Sequence, residues 1–234
     1  MNRVKIMHGF LLVALLLLVT ACGAKGESAA EKLKLQADGL TKLVIDHRNG
    51  DIKILGSSDS DKIEVDALAK ADGVSVNKLE LRLEAQEDTA YLDARFRGQF
   101  LATGSGAVDL EIKVPKQLDL EIKSHRDGDV RISELSSNAK IDNINGDIQV
   151  SNLSGSLEID NRDGDITIRE IGSDVVISNI NGHISADQVG GSVEVQVGDG
   201  SLDVDHVAKD VSITQSGNGE IKIGEVKGRI LQNK

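Results

Sequence analysis

From Gly128 onward, apolar side chains fall at fixed offsets from a recurring glycine. Gly128, Gly146, Gly164, Gly182 and Gly200 follow one another at intervals of 18 residues, and Gly219 comes after 19. With each glycine as position zero, positions +2 and +4 are apolar in every unit: Val130/Ile132, Ile148/Val150, Ile166/Ile168, Ile184/Ala186, Leu202/Val204 and Ile221/Ile223. Position +7 is apolar too (Leu135, Leu153, Ile171, Val189, Val207, Val226), as are +11 and +13, for example Leu157/Ile159 and Val175/Ile177. Apolar residues two apart share one face of a strand. Each unit is therefore predicted to hold two short strands and two turns, with no helix. A constant period means that each unit buries its apolar face by stacking on its neighbours.

The turn chemistry fits this partition. Each glycine follows Asp or Asn, as in Asp127-Gly128-Asp129, Asn145-Gly146-Asp147 and Asp163-Gly164-Asp165. Such pairs supply positive φ without a Cβ clash. Asn-Gly can also close an antiparallel hairpin, but stacking like coils on like places equivalent strands in parallel, at about 4.8 Å per coil. The expected fold is an all-β, single-domain parallel β-solenoid, or β-helix, with coils of about 18 residues and an irregular N-terminal β cap. An acid/amide alternation (Asp127, Asn145, Asp163, Asn181, Asp199, Asn218) suggests a two-coil unit that avoids stacking carboxylate on carboxylate. Asn143, Asn161 and Asn179 stack at another position, where side-chain amides can hydrogen-bond along the column.

Residues 40–123 keep the pattern once, at Leu43/Ile45 and Asn49-Gly50-Asp51-Ile52, with Ile54, and then lose register. Alternating stretches follow at Ile63/Val65/Ala67, Leu79/Leu81/Leu83, Tyr91–Phe96 and Val108/Leu110/Ile112/Val114. They read as longer strands capping the solenoid's N-terminal end, with Gly104-Ser105-Gly106 as a flexible hairpin tip.

Residues 1–21 read as a lipoprotein signal peptide: Arg3 and Lys5 precede the apolar run Phe10–Val19. Val19-Thr20-Ala21-Cys22 resembles a lipobox, whose cysteine is lipidated and becomes the mature N-terminus. Cys22 is the sole cysteine, so its acylation leaves no thiol for a disulfide or metal. The expected organisation is leader 1–21, lipidated Cys22 and tether 22–39, N-terminal β section 40–123, and regular repeats 124–234. By resemblance to Gram-negative lipoproteins, Gly23 after the cysteine implies sorting to the outer membrane, on its periplasmic or its surface face. Net charge is −11, and loss of the leader's two cations makes it −13. That argues against nucleic acid as a partner. With Tyr91, Phe96 and Phe100 as the only aromatics after the leader, no ring ladder is available for stacking on sugars or bases.

The tandem Asn/Asp-Gly-Asp-Ile units behind a lipobox resemble the bacterial "putative adhesin" family of β-strand-repeat lipoproteins, over about residues 40–230. The resemblance implies a parallel β-helix in the cell envelope, in some members linked to envelope stress, and carries no catalytic residues.

The candidate chemistry is sparse. Asp129, Asp147 and Asp165 form a carboxylate ladder at +1, with Asp51 further forward. Stacked aspartates repel by about 1 kcal/mol per pair in water, and Ca²⁺ would relieve that; a solvated turn edge is the simpler reading, and no metal site is assigned. His47, His125, His183 and His206 lack metal-ligand spacing, lie in or beside turns, and are expected at the surface. No Gly-x-Ser-x-Gly nucleophile elbow occurs, and the regular coils have no room for catalytic loops. The expectation is a lipid-anchored, non-enzymatic envelope protein without cofactor, adhesin-like or scaffolding, bound to the membrane through its lipid and facing an envelope protein or glycan. The alternatives are a carbohydrate-active β-helix enzyme and an envelope-stress accessory protein.

Overall fold

The computed structural model describes residues 15–17, 26–97 and 105–233. The first strands are β1 (Leu15–Leu17), β2 (Glu27–Gln36), β3 (Lys42–His47), β4 (Ile52–Ser57), β5 (Lys62–Asp72), β6 (Leu79–Gln86), β7 (Thr89–Phe96) and β8 (Ser105–Pro115). The regular coils follow as β9 (Asp119–Asp127), β10 (Val130–Leu135), β11 (Ala139–Asn145), β12 (Ile148–Leu153), β13 (Leu157–Asp163), β14 (Ile166–Ile171) and β15 (Val175–Asn181). They continue through β16 (Ile184–Val189), β17 (Val193–Asp199), β18 (Leu202–Val207), β19 (Val211–Gln215), β20 (Ile221–Ile223) and β21 (Ile230–Asn233).

Two sheets face each other across one core. One runs β1-β2-β5-β8-β4-β10-β12-β14-β16-β18-β20, the other β21-β19-β17-β15-β13-β11-β9-β3-β7-β6. Within the regular coils every pairing is parallel and links residues one repeat apart, such as Ile148↔Ile166 and Leu157↔Val175. The predicted all-β solenoid is the fold observed. Each repeat puts its apolar positions inside: Val130, Ile132, Leu135, Ala139 and Ile141 are all buried.

The first coil stacks across a large gap in sequence. Ile52 pairs with Val130 and Leu43 with Leu120, so β3/β4 lies directly on β9/β10. The intervening chain builds the cap. β7 and β8 extend the stack in parallel by one more layer, while β2, β5 and β6 pair antiparallel outside them. The apolar end of the solenoid is thereby covered, as the broken register predicts.

Two boundaries differ from expectation. The segment 22–39 is not all tether, because Glu27–Gln36 pairs antiparallel with Lys62–Ala71 of β5 and buries Ala29, Leu33 and Leu35. An alternation too sparse to stand out in sequence is enough when a neighbouring strand supplies the other half of the contact. Ser105 and Gly106 open β8 rather than forming a hairpin tip, since they pair with Asp72 and Ala71. Within the segment read as a leader, Leu15–Leu17 pairs with Ala30–Lys32 at the edge of β2. The rest of that segment, and Cys22 with its lipobox, lies outside the described residues.

Candidate functional site

The regular coils turn sharply at two corners, and each corner breaks the backbone ladder in a way that side chains repair. At the glycine corner the next coil's N–H is met by an aspartate. Asp51 Oδ1 accepts from Asp129 N at 2.9 Å, Asp129 Oδ1 from Asp147 N at 3.0 Å, Asp147 Oδ1 from Asp165 N at 2.9 Å, and Asp165 Oδ1 from His183 N at 2.8 Å. The sequence-derived ladder Asp129, Asp147 and Asp165 is therefore brought together on one edge. Each carboxylate aims one oxygen along the stack at a backbone donor, a charge-assisted bond that offsets the stacking of like charges. The acid/amide alternation works similarly, Asn145 Nδ2 donating to Asp127 at 2.9 Å and Asn181 Nδ2 to Asp163 at 2.6 Å.

The glycine corners are met from inside by a buried polar column, at position −3 in His47, His125, Asn143, Asn161 and Asn179 and, past Val197, at −4 in Gln215, where the last repeat is one residue longer. His125 Nε2 lies 3.1 Å from Gly128 O, Asn179 Nδ2 donates to Gly164 O at 3.1 Å, and Gln215 Nε2 to Gly200 O at 3.3 Å. Along the column, Asn143 Nδ2 donates to Asn161 Oδ1 at 2.9 Å and Asn161 Nδ2 to Asn179 Oδ1 at 3.1 Å. The asparagine ladder is as the sequence suggests. The surface placement of His47 and His125 is not: both are 0% exposed. β3 keeps its alternation through His47 and turns it inward, and in β9 a bulge at Ser124, with φ of 58°, carries His125 to the inner face.

A third device was silent in the sequence. Position +6 takes left-handed φ without being glycine: Glu134 (61°), Asn152 (55°), Glu170 (58°), Gln188 (60°) and His206 (51°). This kink lets positions +4 and +7 both face inward, which a straight strand forbids. The five are Glu, Asn, Glu, Gln and His, with no glycine to mark the turn.

Near the C-terminal coils, Asp187, Asp205 and His206 converge, their ligand atoms within 4.8 Å of one another. His206 Nδ1 lies 2.9 Å from Asp187 Oδ1 and 3.4 Å from Asp205 Oδ2, and Arg169 reaches the second oxygen of Asp187 at 3.4 Å. The hydrogen bond to Asp187, then the charge of Asp205, raises the His206 pKa. These three residues could hold a cation, in competition with the Arg169 guanidinium. His183 and His206 are at the surface as expected. On the cap, a groove of about 310 Å³ runs over β2, β5, β8 and β4, walled by charges of both signs, including Lys32, Lys34, Glu64 and Asp66.

The repeat, its glycine corners and the cap together match one sequence family over residues 40–230. The chain belongs to the Toastrack DUF4097 family. No curated protein matches it. Among solved structures, a "putative adhesin" from Bacteroides fragilis is 15% identical, with 89% of this chain and 94% of that one covered at a TM-score of 0.59. That likeness shows the Toastrack fold alone. A "putative cell adhesion protein" from Clostridium sporogenes (13% identity, 89% and 100% covered, TM-score 0.38) superposes too loosely to bear on this chain's role. The same holds for a "putative lipid binding protein" from Parabacteroides distasonis (14% identity, 89% and 94% covered, TM-score 0.37).

Proposed function

We propose that the protein is a lipid-anchored, non-enzymatic binding rod of the cell envelope, adhesin-like or scaffolding, that presents rigid acidic faces to an envelope protein or glycan. The observation that carries this reading is the unbroken coil stack. From Gly128 to Gly219 the repeat admits no insertion longer than one residue. Its corners are pinned by side chains to backbone, so the outer faces are flat and firm. Flat, extended surfaces suit macromolecular partners, whereas small-molecule sites are concave and mostly apolar. The adhesin name borne by the Bacteroides fragilis relative agrees with this reading.

Acylation at Cys22 sets the geometry. Four residues separate it from Glu27, where β2 begins, and the five backbone steps between them reach about 18 Å when fully extended. The cap then sits close to the outer membrane, and the coils around Ile213 point away from it. Loss of residues 1–21 also makes β2 the outer strand of its sheet.

The test combines fractionation with crosslinking. Cys22→Ser is expected to abolish palmitate labelling and release the protein from membranes; an unchanged membrane pool overturns the anchor. Crosslinking in cells, read by mass spectrometry, is expected to capture an envelope partner on the coil faces. Incubation with envelope and plant polysaccharides is expected to give no new reducing ends or unsaturated products, and either product overturns the non-enzymatic reading.

A further inference from the structure

The polar column explains every contact of its members but two. His47 Nε2 lies 2.7 Å from Val108 O, and His125 Nε2 lies 3.1 Å from Gly128 O. A carbonyl oxygen accepts and never donates, so each Nε2 must carry a hydrogen. That leaves both Nδ1 atoms, 3.1 Å apart, as lone pairs aimed at each other in a fully buried site. Two neutral imidazoles hold two ring hydrogens, and three contacts require three. The other unexplained atom is Asn143 Oδ1, buried without a partner.

We propose that His47 and His125 bind one proton between them, as a shared Nδ1–H···Nδ1 bridge that closes the seam between the cap and the regular coils. The bridge joins β3 to β9, and the two Nε2–H bonds extend it to β8 and to the glycine corner before β10. Three stretches of chain distant in sequence meet at one hydrogen-bond chain. With the proton bound all three contacts are made; without it, either two lone pairs collide or one carbonyl loses its donor.

The surroundings favour a positive charge there. Along the asparagine ladder Asn161 and Asn179 each accept through Oδ1 from the preceding coil, so their oxygen ends point toward the histidines. Asn143 pairs in register with His125, and by the same orientation its free Oδ1 faces that ring's coil. Asp109 from β8 acts on His47, and Asp51, Asp127 and Asp129 from the corner act on His125. Lys70 of β5 is the cation paired with Asp109, at 2.5 Å. The flanking strands add no charge at this level: β7 offers Ala94 beside His47, and β11 offers Asn143. Burial opposes the charge. Burial first, and the charge of His125 second, push His47 down to about 4, so a second proton is refused near neutrality. The two rings titrate as a unit.

The test is long-range ¹H–¹⁵N spectroscopy of the full chain with ¹⁵N-labelled histidine, titrated from pH 8 to pH 3.5. The expected result is a first uptake of one proton, well above pH 4, that moves both buried rings together and leaves three of their four ring nitrogens protonated. A second step follows near pH 4. In His125→Asn the new amide can donate to Asn143 Oδ1, so the fold is kept, the joint step disappears, and His47 stays neutral to below pH 5. Two rings that each keep a single hydrogen down to pH 4.5, or that titrate independently, overturn the proposal. So does a joint step that survives in His125→Asn, or one that shifts after dialysis against a chelator, which would place a metal ion between the rings.

Discussion

A Cβ built on Gly146 would lie 2.0 Å from the carbonyl oxygen of Gly128 in the coil before it. Gly146 also holds φ at 130°, outside what side-chain-bearing residues adopt. The glycine is thus required twice, for the turn and for the stacking distance. Gly39 has φ of 77°, but a Cβ at that position would meet nothing within 4 Å. Gly146→Ala is expected to cost more than about 3 kcal/mol, and Gly39→Ala about 1 kcal/mol. Urea denaturation of the two variants checks the order; equal losses would mean that stacking adds nothing to the turn's own demand.

Ile166 is fully buried between Ile148 and Ile184, and Thr167 faces solvent on the same strand. Ile166→Asp places an unpaired charge in the core and is expected to cost about 4 kcal/mol or more. Thr167→Asp stays within about 1 kcal/mol. Equal shifts of the denaturation midpoint would refute the inward register.

Asp147 Oδ1 accepts from Asp165 N at 2.9 Å. Asp147→Asn retains an acceptor and is expected to be nearly neutral, while Asp147→Ala strands the N–H and costs about 1 kcal/mol. The triple change of Asp129, Asp147 and Asp165 to Asn is expected to lose no stability, because mutual repulsion goes with the charges. In thermal scans Ca²⁺ should raise the Tm of either protein no more than NaCl at matched ionic strength. A Ca²⁺-specific rise that vanishes in the triple variant would make this edge a metal site.

The buried histidines give the fold a defined pH dependence. In the unfolded chain both imidazoles take a proton near 6.5, whereas His47 in the folded protein does so near 4. The unfolded state therefore binds more protons in between, so this stability is fully present above pH 6.5, declines as pH falls, and levels off below pH 4. The expected loss is on the order of 3 kcal/mol. The double variant His47→Asn, His125→Asn should flatten the window from pH 6.5 to 5, where carboxylates contribute little. His206, whose pKa is raised, acts in the opposite sense in both proteins and cancels in the comparison. Parallel curves for the two proteins would contradict the assignment.

Offsets from the recurring glycine determine the solenoid from sequence alone: the two sheets, the inward positions from Val130 to Ile213, and the asparagine column. They do so because every coil repeats the same local chemistry and its partners are copies of itself. Position −3 also marks His47 and His125 as members of that column. Period-two counting from Leu120 and Ile122 instead points Ser124 inward, and only the bulge at Ser124 decides between the two. Tertiary structure alone placed β3/β4 on β9/β10 across the cap insertion, drew Glu27–Gln36 into a sheet, and set two imidazoles face to face. Each of these depends on contacts between segments with no shared period, where the energy lies in the meeting of two surfaces and neither sequence announces it.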